Sequence, residues 1–346
     1  MGDPSSNGHG LEVENLGDAG ATPGSTAPRM LVPLFLVPLL IVAVIVGVFL
    51  MLGSVLGREK TVAQWIDEFE TGGVNERWQA AAHLTELART EPAALDDPGI
   101  REKLRHLFVA AGPSEPRIRQ YLAQLWTAIE DPEAAPLILE GIRRTRERLS
   151  GPEQAKGDER EQAGRELIYY VRALGTVGGG EAESTLVELT DDPDSGVRVA
   201  VAEALGVAGR RAIRTGSAPP GPVVDALVRL YADGDAWVRM NAALGLGKLG
   251  RTEGLATLEA MLDREWLRSQ NLRFPDDGKY SVTQHDPAAV PILSALVTIG
   301  SLVEGSLQGG PAVDRAALLA AVERVTEDPN PELQRRAREL LDRLRG

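Results

Sequence analysis

No cysteine occurs among the 346 residues. That excludes disulfides, thiolate metal sites, a catalytic thiol and a lipid-modified cysteine anchor, and it leaves the redox compartment open. Aromatic residues are scarce, at 4% of the chain, so a core must be aliphatic and alanine-rich, as in packed helices. Cations are the minority charge: 37 Lys plus Arg stand against 50 Asp plus Glu, a formal net charge of −13. A surface that neutralises phosphates needs clustered cations, so no nucleic-acid partner is expected. No sustained alternation of apolar and polar residues occurs either, so no sheet is expected.

Chemistry-bearing motifs are missing in the same way. There is no Gly-x-x-x-x-Gly-Lys-Ser/Thr phosphate loop, no His-Glu-x-x-His and no Gly-x-Ser-x-Gly. Of the four histidines, His9 lies near the start of the chain. His83 and His106 fall on apolar helix faces, where a satisfied core histidine is expected, and His285 has no identifiable catalytic partners. Gly178-Gly179-Gly180 has no strand before it and reads as a helix-joining loop. Charge runs such as 143–148 and 158–165 mix signs and read as solvated faces. No catalytic residue, metal ligand or cofactor is expected.

What is present begins with a membrane signal. Residues 1–29 are rich in Gly, Ser and Pro with few large apolar side chains, which cannot bury enough surface to offset ordering entropy. A disordered tail is expected there. Residues 30–57 carry no charge over 28 positions, bracketed by Arg29 and Arg58. At about 1.5 Å per residue, a helix of that length exceeds the roughly 30 Å hydrocarbon core of a bilayer. A single transmembrane helix over 30–57 is expected. The rival is a cleaved signal peptide, whose apolar region is normally about 7–15 residues. Arg58 and Lys60 follow the span and Arg29 alone precedes it, so the positive-inside count leans to a cytoplasmic C-terminal part. Only five of the 37 basic residues are Lys. That arginine bias fits a GC-rich bacterial genome, and hence a bacterial inner membrane, with the periplasmic orientation left open. An amphipathic juxtamembrane helix is expected over 58–73.

The rest of the chain repeats. Asp192-Pro193-Asp194-Ser195-Gly196-Val197-Arg198 is matched by Asp328-Pro329-Asn330-Pro331-Glu332-Leu333-Gln334, and Asp235-Ala236-Trp237-Val238-Arg239 aligns with its second half. Each match opens a helical pattern with apolar residues at offsets 0, 4, 7, 8 and 11, one face at 100° per residue. Val197, Val201, Ala204, Leu205 and Ala208 form one copy, and Leu333, Ala337, Leu340, Leu341 and Leu344 another. The pattern starts at 76, 118, 166, 197, 238, 288 and 333, with Glu166 in an apolar slot. Spacings of 31 to 50 residues fit a helix pair plus turns. Second helices are expected at 98–110, 133–148, 180–190, 222–232, 253–264 and 311–326, with Asp-Pro and Gly marking starts and stops.

At these residues the chain resembles the HEAT repeat, through the run Asp-x-x-Val-Arg followed by Ala-x-x-Ala-Leu-Gly (Asp194 to Gly206). The form is the short one of phycobilin-lyase-type HEAT proteins. The resemblance covers roughly 61–346 and is strongest over 192–262. It implies an all-α fold: an α-solenoid of about seven helix pairs over 74–346, preceded by the one transmembrane helix. It also implies that the signature helix lines a protein-binding side, and that Asp194/Arg198 and Asp235/Arg239 tie neighbouring repeats together. Asn330 and Gln334 replace those residues in the last repeat, as a terminal cap would, and Arg335, Arg338, Glu339 and Asp342 make its opposite face polar. No His-Glu pair occurs, so the iron-ligating motif of the HEAT-like hydroxylases is absent.

Two features exceed a plain scaffold. An insertion over 264–286 carries Trp266, Arg268, Arg273, Phe274 and Tyr280, the residue types of protein-binding hot spots. Tucked over its own solenoid, the same stretch would be a packed flap. The opposite faces of three signature helices are also apolar: Val199, Ala202 and Gly206; Met240, Ala243, Leu244 and Gly247; Val290, Leu293 and Val297. Either companion helices cover them, as expected for Leu244, or Met240, Leu244, Val290 and Leu293 line an apolar groove. The function expected is a membrane-tethered protein–protein interaction scaffold and not an enzyme, with the bilayer and unidentified proteins as partners. The alternatives are an accessory or sensor subunit of a membrane transporter or protease, and a HEAT-like lyase or other enzyme.

Overall fold

A computed structural model of the chain describes residues 39–47, 60–112, 115–151, 156–270, 272, 286–308 and 310–345. The expected tail over 1–29, most of the expected span over 30–57, and Arg273, Phe274 and Tyr280 of the insertion lie outside the described residues. The chain divides into two units, Met1–Glu59 and Lys60–Gly346. In the first, residues 39–47 form helix α1. Its large side chains, from Leu39 to Val46, are all apolar and exposed, at 49–66% of their full area.

Every described element of the second unit is helical or a turn. The helices are α2 (Val62–Thr71), α3 (Val74–Thr90), α4 (Pro98–Ala110), α5 (Pro116–Trp126), α6 (Ala135–Ser150), α7 (Asp158–Val177), α8 (Gly180–Glu188) and α9 (Ser195–Arg214). They continue as α10 (Gly221–Tyr231), α11 (Ala236–Lys248), α12 (Leu255–Ala260), α13 (Arg264–Ser269), α14 (Ala289–Leu307), α15 (Arg315–Val325) and α16 (Pro331–Arg345). The signature helices α3, α5, α7, α9, α11, α14 and α16 stack one on the next, and the helices before them form a second, looser layer. This is an α-solenoid of HEAT-like pairs.

The apolar offsets form the buried core. Val197, Val201, Ala204, Leu205 and Ala208 on α9 are buried, as are Leu333, Ala337, Leu340, Leu341 and Leu344 on α16. The helix expected at 58–73 is α2. Thr61 and Gln64 close a capping box at its start, and it buries Ile66 and Phe69 while packing on α3. That makes it the companion helix of the first pair, inside the unit that begins at Lys60. The single helix expected over 253–264 is two short ones, because Asp263 caps a new start, accepting from Glu265 N at 2.7 Å and Trp266 N at 3.2 Å.

The opposite faces of the signature helices are covered by neighbouring signature helices as well as by the expected companions. Companions share the contact on α11, where Ala243 meets Gly254 at the start of α12 and Gly247 meets Leu258 of α12. Small residues permit the approach of neighbouring signature helices: a methyl placed on Gly175 of α7 would come within 2.6 Å of Ala204 Cα on α9. One on Gly206 of α9 would come within 2.9 Å of Gly245 Cα on α11. The buried core falls into two clusters that part within α11, one from Ile66 to Leu249 and one from Met240 to Leu344. Among the described residues, α14 alone is long and apolar enough to cross a bilayer, and half of that stretch is buried. Ile292, Ala295, Ile299 and Val303 are its core residues.

Candidate interaction surface

Three signature helices, α9, α11 and α16, enter through the same polar circuit. Asp194 caps α9 by accepting from Gly196 N at 2.8 Å, and Asp235 caps α11 by accepting from Trp237 N at 2.8 Å. Two residues earlier, Asp192 and Asp233 accept from the backbone N–H of these caps. Arg198 and Arg239 then donate back to the carbonyls of Asp192 and Asp233, each at 2.8 Å. In the last repeat Asn330 and Gln334 reproduce the circuit, with Asn330 Oδ1 accepting from Glu332 N at 3.0 Å and Gln334 Nε2 donating to Asp328 O at 2.7 Å.

Of the residues expected to tie neighbouring repeats together, Arg198 does so, while the two acids do not. Asp194 and Asp235 serve their own helices, and Arg198 reaches across to Asp233 of the next repeat. Hydrogen bonds from Arg198 hold the Asp233 carboxyl below its ordinary range, against the opposing effect of burial. The recurring Asp-x-Asp/Asn spacing at 192, 233 and 328 was the sequence signal for this second acid.

A larger version of the same link closes the insertion. Arg264, at the start of α13, donates to both oxygens of Asp286 at 2.6 and 2.7 Å, and to both oxygens of Asp328 at 2.6 and 2.8 Å. Asn330 Nδ2 adds a bond to Asp286 at 3.3 Å. One guanidinium therefore holds the two ends of the insertion together and fixes both to the last repeat. Asp286 is shifted down by Arg264 first, with Asn330 assisting against burial. Nothing in the sequence pattern pointed to Arg264.

Glu166, an acid in an apolar slot, is 2% exposed. Its Oε2 accepts from Arg119 of α5 at 2.9 Å and from Arg148 of α6 at 3.0 Å, and its Oε1 accepts from the Tyr170 hydroxyl at 2.7 Å. Burial, then the neighbouring carboxylate, raise the pKa of that phenol. The arrangement is a compensated buried charge that joins three helices.

The residues expected to bind protein are divided by the fold. Met240 is 1% exposed, in the core between α11 and the next repeat. Leu244 and Leu293 are half-buried and pack against that core, as does Trp266 on α13. Val290 is open, at 47%, and Val297 stands exposed two turns further along α14. Arg268 is exposed. The four apolar residues therefore do not line one open groove.

His9 and His285 lie outside the described residues, and the other two histidines depart from expectation. His83 is exposed and stacks on Trp65, with ring centroids 4.2 Å apart, while Lys60 lies 4.4 Å over the same indole. His106 is exposed too, bonded to Glu102 at 3.0 Å. Among the described residues, no group of three or more His, Asp or Glu gathers in a metal-ligating arrangement.

No protein-family model matches the chain, and no curated protein matches it. Among solved structures it is similar to an engineered protein at 16% identity, covering 82% of this chain and 96% of that one with a TM-score of 0.36. It is similar to a designed armadillo repeat protein at 17% identity, covering 81% and 98% with a TM-score of 0.34. It is also similar to human deoxyhypusine hydroxylase in complex with glycerol, at 17% identity, covering 86% and 89% with a TM-score of 0.31. The fold assignment stands on the helix pairs themselves.

Proposed function

We propose that the chain is a membrane-tethered protein–protein interaction scaffold rather than an enzyme, with residues 30–57 as a single bilayer span and the HEAT-like solenoid as the interaction body. The observation that carries the reading is α1. Its described side chains are apolar on every side and exposed, a surface that lipid satisfies and water does not. At the repeat junctions of the solenoid, Arg198 with Asp233 and Arg264 with Asp286 and Asp328 pair in structural roles. Arg58 and Lys60 favour the cytoplasmic face of a bacterial inner membrane.

Within the solenoid, the insertion over 264–286 is the recognition element. Arg264 staples its ends together, so a binding stretch in between pays less ordering entropy on meeting a partner. Trp266 and Arg268 stand at its start, and Arg273, Phe274 and Tyr280 follow. A photo-cross-linking amino acid at position 268, in native membranes, should give discrete protein adducts that the same residue at position 338 does not. Adducts to lipid alone, or equal adducts at both positions, would count against the reading.

A further inference from the structure

Helices α7, α9 and α11 carry three cations, Arg172, Arg210 and Lys248, in the neighbourhood of one carboxylate, Glu203. Arg172 of α7 donates from Nε to Glu203 of α9 at 2.6 Å. Lys248, at the end of α11, lays its stem across Gly206 of α9, where a methyl group would sit 3.8 Å from Lys248 Cδ. Glu203 and Arg210 lie one turn to either side of Gly206 on the same helix. The Lys248 ammonium thus feels both the Glu203 carboxylate, already engaged by Arg172, and the Arg210 guanidinium. Neither Lys248 nor Arg210 has a hydrogen-bond or ion-pair partner among the described residues. The cluster carries two positive charges in excess on a chain whose net charge is −13. Val207, the next residue after Gly206, is 38% exposed beside it.

We propose that this face of α7, α9 and α11 docks a carboxylate-rich peptide segment of a partner protein, with Lys248 and Arg210 taking its acidic side chains and Val207 an apolar one. Two like charges held together without acceptors cost free energy that an anionic partner returns on binding. Burial holds the Lys248 ammonium below the ordinary lysine range, Glu203 opposes that, and Arg210 adds to it. Glu203 among the cations argues against a single phosphate, which would meet that carboxylate at close range. Carboxylates strung along a peptide can reach the two free cations while passing it. The glycine is part of the site, because it lets the lysine stem lie flat on α9.

The inference rests on the scaffold reading and names the chemistry of one partner. The two fail separately, since the probe here is a synthetic peptide and not a cellular protein. Fluorescence anisotropy of a labelled (Glu-Ala)4 peptide with the full chain in mild detergent should show saturable binding that weakens as salt is added. The uncharged (Gln-Ala)4 peptide should not bind. The double variant Lys248→Gln, Arg210→Gln should bind (Glu-Ala)4 about tenfold or more weakly, with an unchanged helical circular-dichroism spectrum. Lys248→Arg should retain most of the binding, and Arg335→Gln with Arg338→Gln, on the terminal helix, should change nothing. Equal binding by the Lys248/Arg210 double variant, equal binding of the Gln peptide, or displacement by inorganic phosphate at concentrations where acetate has no effect would each overturn the proposal.

Discussion

Arg198 of α9 holds Asp233 of the following repeat with two bonds, Nε to Oδ2 at 2.8 Å and Nη2 to Oδ1 at 3.0 Å, while its remaining amine caps the Asp192 carbonyl. One side chain thus closes its own turn and locks the next repeat in register. Both charged groups are mostly shielded from water, so the pair is screened less than a surface ion pair.

Asp233→Asn should therefore destabilise the solenoid by about 1–3 kcal/mol near neutral pH. The sign of the pH dependence follows from the lowered pKa. Asp233 stabilises the fold above its unfolded value, and that contribution fades as pH falls below about 4 toward the folded value. Melting curves from pH 7 to pH 3 should show the wild-type advantage over Asp233→Asn shrinking on the acid side. An advantage that is constant with pH would mean the carboxylate is not what Arg198 holds.

Gly175→Val tests the contact between signature helices. Even the β-carbon would meet the α9 backbone at Ala204, so α7 and α9 must part, at a cost of about 3 kcal/mol or more. Ala173→Gly on the same helix removes a buried methyl without overlap and should cost about 1 kcal/mol. Urea denaturation of the two variants distinguishes a backbone contact from ordinary core packing. A Gly175→Val protein as stable as the wild type would contradict the stacking.

Periodicity made the signature helices legible because each carries its apolar offsets on a single face. The signature starts at 118, 197, 238, 288 and 333 fall within two residues of the observed helix starts. The register of the pairs was harder to see. Helix α2 was set apart because it follows an apolar run, although Ile66 and Phe69 had the spacing of a companion helix. Periodicity says which sides are buried and not by what, so the share of the apolar back faces that neighbouring signature helices cover is not legible from it. Gly175, Gly206, Gly245 and Gly247 were the available signal for helix-on-helix contact. Long-range ion pairs such as Arg264 with Asp328, 64 residues apart, leave no local pattern at all. Met240, Leu244, Val290 and Leu293 looked alike in sequence and divide only once α14 is in place.

Glu166 offers a sharper energetic test. Glu166→Ala leaves Arg119 and Arg148 facing each other with no carboxylate, and should cost about 3–5 kcal/mol. Tyr170→Phe removes one hydrogen bond and should cost about 1 kcal/mol. Denaturant midpoints of the two variants should differ severalfold in shift. Similar small losses would mean that the charges are already hydrated.

Leu244 and Val290 should respond oppositely to charge. Leu244→Glu places a carboxylate against the second core cluster and should cost about 2 kcal/mol or more. Val290→Glu, on an open surface, should stay within about 0.5 kcal/mol of the wild type. Thermal melts decide this directly. A silent Leu244→Glu would reopen the apolar groove that the packing of α11 and α14 argues against.

Carbonate extraction tests most directly the proposal that residues 30–57 hold the helical solenoid to a membrane. The full chain should remain in the washed membrane pellet, while residues 60–346 alone should appear in the supernatant with a helix-dominated circular-dichroism spectrum. A full chain released by carbonate, or a 60–346 fragment that stays in the pellet, would contradict it.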